Sequence, residues 1–405
     1  MRIVCVGGGP AGLYFAILAK RRYPQHEVTL SERNPAGATY GWGVVFWDDF
    51  LDGLYRNDPD SAREIRESAV LWEGQEVRMR GERTAYLGGY GFSMSRRGLL
   101  EILTRRARAL GVDVQFEREI GDPAGLDADL IVACDGVNSG IRERHAEHFG
   151  AGVAVGRNKY IWLGTPKVFD SFVFGFEQTP AGWIWFHAYP STTENSTCIV
   201  ECTPETWSGL GLDELDPDKG TQVLEEIFAG PLDGHPLINQ TRSMGVVPWL
   251  NFREISNRTW RRDNVVLMGD AAHTTHFTIG SGTKLAVQDA IGLADVLPLH
   301  AEDLPRALQN YDEQRRAALL AVQDAAHSSM TWFEHVDVHI DPHRDPDAVE
   351  FAYSLWKRRG HYPFWRYQLH LATQIGPLRR ARSSVSSARR TLRARRRGEL
   401  PVLHP

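Results

Sequence analysis

Apolar positions along the chain follow two rhythms, with a change near residue 150. Before it, short apolar runs alternate with longer stretches of helical spacing. MRIVCV (residues 1–6) reads as a strand, LYFAILAKRR as a helix, and EVTLS (27–31) as a second strand, an opening βαβ unit. RRGLLEILTRRARALG (96–111) has helical spacing, VDVQFERE follows as a strand, and ADLIVAC (128–134) is an apolar strand closed by Asp135-Gly136. Residues 151–250 differ. KYIWLGT, SFVFGFEQ, GWIWFHAY and TCIVECT have strand propensity and are separated by Gly, Pro, Ser and Thr turns, which predicts a mostly antiparallel, aromatic-rich sheet. NVVLMGD (264–270) returns to the first rhythm. From about Gly282 the pattern is mainly helical, with a long helix predicted from Leu304 to His335. No internal repeat is present.

The first turn carries chemistry. Gly7-Gly8-Gly9-Pro10-Ala11-Gly12 stands between strand and helix as G-x-G-x-x-G. One glycine makes the tight turn, one lets a pyrophosphate approach the backbone, and one lets helix and strand pack closely. The helix start offers N–H groups and the positive dipole end. Glu32, followed by Arg33, ends the second strand about 20 residues on, where an acid takes a ribose hydroxyl. A dinucleotide, FAD or NAD(P), is expected.

Composition narrows the class. The chain has 405 residues, 42% hydrophobic, enough for two domains or one large composite domain. A net charge of −5 gives no reason to expect nucleic acid as a partner. Four cysteines suit a reducing cytoplasm without a disulfide framework, and Cys198 and Cys202 have no second pair to complete a metal site, so no metal is expected. No apolar run is long enough to span a bilayer, and the short apolar start is neither a signal peptide nor a membrane span, so a cytoplasmic protein is expected. The segment after Pro377 is the exception to the acidic balance: nine arginines, Arg379, Arg380, Arg382, Arg389, Arg390, Arg393, Arg395, Arg396 and Arg397, face one acid, Glu399. It reads either as a solvated basic helix or as an anion-steering patch.

Two later motifs resemble those of class A flavoprotein aromatic hydroxylases. Asp135-Gly136-Val137-Asn138-Ser139-Gly140-Ile141-Arg142 is similar to that family's Asp-Gly fingerprint. Gly269-Asp270-Ala271-Ala272-His273, followed by Gly280-Ser281-Gly282-Thr283-Lys284, resembles its Gly-Asp motif. Arg96 and Leu99 fit its Arg-x-x-Leu pattern. GWGVVF (41–46), GRNKYIW (156–162), CIVEC (198–202) and HFTIGSGTKLA (276–286) resemble the branch that contains salicylyl-CoA 5-hydroxylase and the monooxygenase part of anthraniloyl-CoA monooxygenase. They are also similar to the tryptophan-derivative hydroxylase of violacein biosynthesis. Phe277 stands where the wider family has proline, and Lys284 where it has asparagine.

The resemblance implies an α/β fold: a discontinuous Rossmann-like FAD-binding domain (1–70, 91–150, 255–300), an inserted antiparallel β-sheet substrate domain (71–90, 151–254), and a helical C-terminal region (301–405) with the basic tail. It implies FAD held by Gly7, Gly9, Pro10, Ala11, Gly12, Glu32, Arg33, Val44, Arg96, Asp135, Asp270, Gly280, Gly282, Thr283 and Lys284. NAD(P)H and O2 are the implied cosubstrates, and oxygen is transferred from a flavin C4a-hydroperoxide to an activated ring. His276 is the candidate for substrate contact or proton relay, and Lys284 for charge near the flavin; both have packing alternatives. His273 is expected to be structural. Trp162, Trp183, Trp185, His187 and Phe277 are candidates for an aromatic pocket wall, though alternate residues on such strands are also ordinary core. The expected substrate is a small aromatic compound, CoA-linked or carried on a carrier protein's phosphopantetheine arm, or else a free tryptophan or indole-type aromatic. A flavin-dependent halogenase, suggested by Gly182-Trp183-Ile184-Trp185 but broken at Phe186-His187, and a non-catalytic flavoprotein are the remaining alternatives. The oligomeric state is not legible.

Overall fold

Strand Arg2–Val6 is short and apolar because it is covered on both faces, with Ile3, Cys5 and Val6 buried. In the computed structural model it is central to a six-stranded sheet. The described residues are 1–39, 41–81, 83–239, 248–298, 303–340, 347–358, 360, 363–373 and 376–399, with side chains at 83 and 376–383 outside the description. The chain divides into two compact units: Met1–Val45, Met94–Ile161 and Gln240–Met330 form the first, and Phe46–Ser93, Trp162–Asn239 and Thr331–Pro405 the second. Among the described residues no helix is long and apolar enough to cross a membrane.

In the first unit the sheet order is Arg261–Arg262, Val265–Leu267, Leu130–Ala133, Arg2–Val6, Glu27–Ser31, Asp113–Gln115. All pairs are parallel except the Arg261–Arg262 edge. Val4 is in register with both Thr29 and Ile131. Helix Pro10–Arg22 is buried from Pro10 to Ala19 and packs against helices Arg96–Ala109 and Gly282–Val296. Its apolar run thus reflects burial on all sides rather than one amphipathic face. The unit also holds an antiparallel pair, Gly152 to Tyr160 against Leu250–Ser256, with a register break between Val155 and Lys159. The Asn251 side chain fills the break: its Nδ2 donates to the carbonyls of Gly156, Arg157 and Asn158 at 3.0–3.1 Å, and its Oδ1 accepts from Lys159 Nζ at 2.8 Å.

In the second unit the strands run in the order Ser196–Cys202, Gly182–Pro190, Phe172–Thr179, Gln75–Met79, Arg83–Tyr86. All neighbours are antiparallel except Phe172–Thr179 with Gln75–Met79. Phe174, Phe176, Trp183 and Trp185 fall on one face by the two-residue period. They pack against Trp332, Phe333, Phe351, Leu355 and Tyr367.

The unit boundaries differ from the domain limits expected above. Residues 46–70 belong with the second unit, where their helices Asp48–Asn57 and Pro59–Ser68 are ion-paired with Arg393 of helix Gly376–Arg396 and with Arg397 and Glu399 just after it. Residues 151–161 and the described part of 248–254 belong with the first unit through the antiparallel pair. The long helix, found at Leu304–Glu334, belongs to the first unit as far as Met330.

Candidate functional site

The glycine turn is forced by its neighbours. Gly7 has φ +115°, and a Cβ there would lie 2.2 Å from the Cys134 carbonyl oxygen. A Cβ on Gly12 would lie 2.3 Å from the Gly7 oxygen. Gly9 differs: its φ is −74°, and a Cβ would meet nothing within 4 Å, so the backbone is open there. Gly9 caps helix Pro10–Arg22 without a side-chain hydrogen bond, Pro10 takes the first position, and no acid sits in the first turn. The helix start therefore presents uncapped N–H groups of the kind that bind anions. Glu32 Oε2 accepts from Gly8 N (2.7 Å), and Oε1 accepts from both nitrogens of Asn34 (2.9 and 2.7 Å). Arg33 is exposed.

The three motifs converge here. Gly7 abuts Cys134-Asp135, and a Cβ on Gly269 (φ +62°) would lie 3.0 Å from that of Ala11. Arg142, fully buried, donates to the Val137 carbonyl (2.6 Å) and the Ala271 carbonyl (3.2 Å), tying the Asp-Gly and Gly-Asp segments together. Asp289 does the same work from the other side. Its Oδ2 accepts from Gly269 N (3.2 Å) and pairs with His273 Nε2 (2.7 Å), and its Oδ1 accepts from Arg315 Nε (2.8 Å). Burial pushes the Asp289 carboxyl upward, but His273 and Arg315 outweigh it and hold it below the usual carboxylate range. His273 is a structural residue in this geometry, stacked on Trp260. Asp289 and Arg315 belong to the network although no motif marks them.

Several polar atoms in this unit are buried without a partner: Ser31 Oγ, Trp42 Nε1, Arg96 Nε and Asp135 Oδ1. Buried polar atoms are normally satisfied, so these atoms offer donors and acceptors that a ligand or water would complete. Burial raises the pKa of Asp135, against hydrogen bonds from Ser139 and Ile141. Asp270 is accessible to solvent, yet desolvation raises its pKa, against the opposing charges of Arg96 and His273. Uncapped helix start, open Gly9, ribose-placed Glu32 and unpaired donors fit a dinucleotide.

The later glycines make a second open helix start. Gly280 has φ +63°, and Gly282–Val296 begins with no side-chain cap and no acid in its first turn. Gly282 is exposed and open at its Cβ position, and Thr283 and Lys284 follow half-buried. His276 is buried between Phe277 (4.3 Å, stacked) and Phe252 (4.7 Å, edge). Its Nδ1 shares a hydrogen bond with Thr278 Oγ1 (2.9 Å), which reaches Ser329 Oγ (2.8 Å). Phe277 also meets Tyr160 at 4.8 Å. Val44 is buried in strand Gly43–Phe46.

Trp183, Trp185 and His187 lie in the core of the second unit, and Trp162 is half-buried in strand Gly152–Thr165, at the start of the part that belongs to that unit. Trp185 stacks with Phe333 and donates to Glu201 Oε2 (3.1 Å), which His187 Nε2 also meets (3.2 Å). Burial lowers the pKa of His187, opposed by Glu201. These are the surroundings of packing residues. Cys198 and Cys202 are fully buried, with the Cys198 thiol pushed up to about 12 by desolvation. Among the described residues no cluster of His, Cys, Asp and Glu is arranged to hold a metal ion.

Residues 100–326 match the FAD binding domain family. The chain is 41% identical over 370 residues to salicyloyl-CoA 5-hydroxylase of a Streptomyces species, covering 88% of this chain and 70% of that protein. It is 37% identical over 359 residues to 3-hydroxy-4-methyl-anthranilyl-(aryl-carrier protein) 5-monooxygenase of Streptosporangium sibiricum, covering 88% and 96%. The fold matches crystalline 2-methyl-3-hydroxypyridine-5-carboxylic acid oxygenase with a TM-score of 0.67 and 22% identity, over 89% of this chain and 98% of that one. Motifs, fold and relatives agree: the chain belongs to the FAD-dependent aromatic hydroxylases and is a flavoprotein monooxygenase.

Proposed function

We propose that this monooxygenase hydroxylates an aromatic ring bearing a hydroxyl or amino group and carried as a thioester, of the salicylyl-CoA or anthraniloyl-CoA kind, with NAD(P)H as reductant. The carrying observation is the similarity across most of the chain to two proteins whose names give an aryl group on CoA and an aryl group on a carrier protein. Bound FAD supplies the redox chemistry, accepting a hydride and activating dioxygen.

The protein's part is to bind, orient and shield. The N–H groups around Gly7, Gly9, Pro10, Ala11 and Gly12 take the pyrophosphate, with the unpaired Nε of Arg96 as a charged donor. Glu32, next to Arg33, takes the adenosine ribose, and Asp270 takes the ribityl hydroxyls. Asp135, whose buried Oδ1 has no protein partner, would accept from the same cofactor. The open backbone from Gly280 to Lys284 would hold the flavin ring, and Val44 would pack against it. A proton role for His276 runs through Nε2, since Nδ1 is committed to Thr278. Phe277, with Tyr160, supplies an apolar wall that keeps water from the reacting ring.

The test is NAD(P)H oxidation, oxygen uptake and product mass measured together on the FAD-loaded protein with salicylyl-CoA, anthraniloyl-CoA, their free acids and tryptophan. A thioester that accelerates oxidation and gains one oxygen atom supports the reading. A response confined to free acids or tryptophan overturns it.

A further inference from the structure

The C-terminal helix Gly376–Arg396 carries more cations than its packing uses. Arg390, Arg393 and Arg397 follow one another at helical spacing and meet acids: Arg390 with Glu73 (2.6 Å), Arg393 with Asp48 (3.0 Å), and Arg397 with Asp48, Asp52 and Glu399 (3.0, 2.9 and 2.6 Å). That face anchors the helix. The next face holds Val385, Arg389, Leu392 and Arg396, spaced four, three and four residues apart. Among the described residues Arg389 and Arg396 have no acidic partner, and Val385 and Leu392 are 53% and 52% exposed. This second face, with Ser386, the acid-paired Arg393, Gly89 and Tyr90, lines an open cleft of about 580 Å³.

A cleft of that volume is in the range of small-molecule sites. Unpaired guanidiniums prefer phosphate, which they bind through two parallel hydrogen bonds. Leu392, Val385 and the Tyr90 ring add apolar and aromatic surface of the kind a purine ring packs on. On a chain of net charge −5, such a face draws anions locally against the overall field.

We propose that this cleft binds the nucleotide end of a coenzyme A thioester, with Arg389 and Arg396 on its phosphates. The assignment rests on the thioester reading above and gives it a handle site separate from the flavin-binding residues. A small nucleotide is favoured over a protein partner because the cations line a concave cleft of small-molecule volume rather than an extended flat face.

The test is a calorimetric titration of the FAD-loaded full chain with CoA, 3′-dephospho-CoA and adenosine 3′,5′-bisphosphate, repeated on the double variant Arg389→Gln/Arg396→Gln. Arg395→Gln removes a charge from the same helix outside the cleft and serves as control. CoA is expected to bind more tightly than its dephospho form. The double variant should weaken CoA about tenfold to a hundredfold, and the control by no more than about twofold. The double variant should also raise KM for a thioester substrate at unchanged kcat. Unchanged CoA binding in the double variant overturns the site, and if the thioester is still hydroxylated the proposed function stands without it. Loss of bisphosphate binding in the double variant, with turnover of free acids alone, supports the nucleotide site and overturns the thioester reading. An acidic carrier protein that binds through Arg389 and Arg396 while CoA does not overturns the nucleotide assignment.

Discussion

Gly7, Gly9 and Gly12 are interchangeable letters in a motif, but the structure constrains them differently. Gly7 and Gly12 are required by the protein itself, since a Cβ at either would overlap a carbonyl oxygen. Gly9 has an ordinary φ and open space, so only a ligand would object to a side chain. Gly9→Ala should leave the FAD-free protein within about 0.5 kcal/mol of wild type while weakening FAD by about 1–3 kcal/mol. Gly7→Ala should destabilise the FAD-free protein itself by about 1–3 kcal/mol. Thermal unfolding of the stripped protein and a flavin titration separate the two, and unchanged FAD affinity in Gly9→Ala removes that turn from the site. Local spacing marks these glycines and Glu32 as candidates, whereas Asp135 and Asp270 come into view only through the resemblance to the family's motifs. Asp289 and Arg315 were not legible. Asp289 sits inside a mostly apolar helix, and its partners Gly269 and Arg315 lie 20 residues before and 26 after it, too far for a turn signature to show the link.

The elements were legible where the period alone decides them. The opening strands, the glycine-turn helix and the long helix ending at Glu334 fall close to where apolar spacing puts them. What an element faces is a different matter. Trp183 and Trp185 suit a pocket wall or a core equally well in sequence, because both need alternate apolar residues; Phe333, which stacks on Trp185, comes from a helix more than 140 residues away. KYIWLGT likewise reads as plain strand, and nothing in the sequence shows that the three residues before it, Gly156 to Asn158, form a register break closed by Asn251. Asn251→Ala should cost about 1–3 kcal/mol, because it strips the donors from the Gly156, Arg157 and Asn158 carbonyls. Asn251→Asp should be as damaging, since it keeps an acceptor for Lys159 but loses the same donors. Denaturant unfolding of both variants measures this, and an Asp variant as stable as wild type refutes the role assigned to Nδ2.

At the scale of the molecule the chain passes between its two units at 45/46, 93/94, 161/162, 239/240 and 330/331, and no shift in apolar rhythm marks most of these crossings. The second unit is closed by contacts between its extremes. Arg397 and Asp48 are 349 residues apart, and their side chains are only 5% and 4% exposed. Such a pairing has no local signature, because the acids that divide the arginine-rich tail into two faces lie more than 300 residues before it. Removing one member of a buried ion pair leaves the other charge without compensation, which costs more than the pair is worth as a whole. Arg397→Met should therefore destabilise the protein by about 3 kcal/mol at neutral pH, and adding Asp48→Asn should recover part of that loss. Burial pushes the Asp48 carboxyl upward, but Tyr90, Arg397 and Arg393 together hold its pKa below the ordinary 3.8. A carboxyl depressed in the folded state stabilises the fold above its unfolded pKa, and that contribution fades as pH falls through the folded value. The gap between wild type and Arg397→Met should then be constant from about pH 7 to about pH 5 and narrow below about pH 4. Guanidinium unfolding across this range tests the assignment. A gap that persists unchanged below about pH 4 would place the effect in lost packing of the arginine stem rather than in the pair with Asp48.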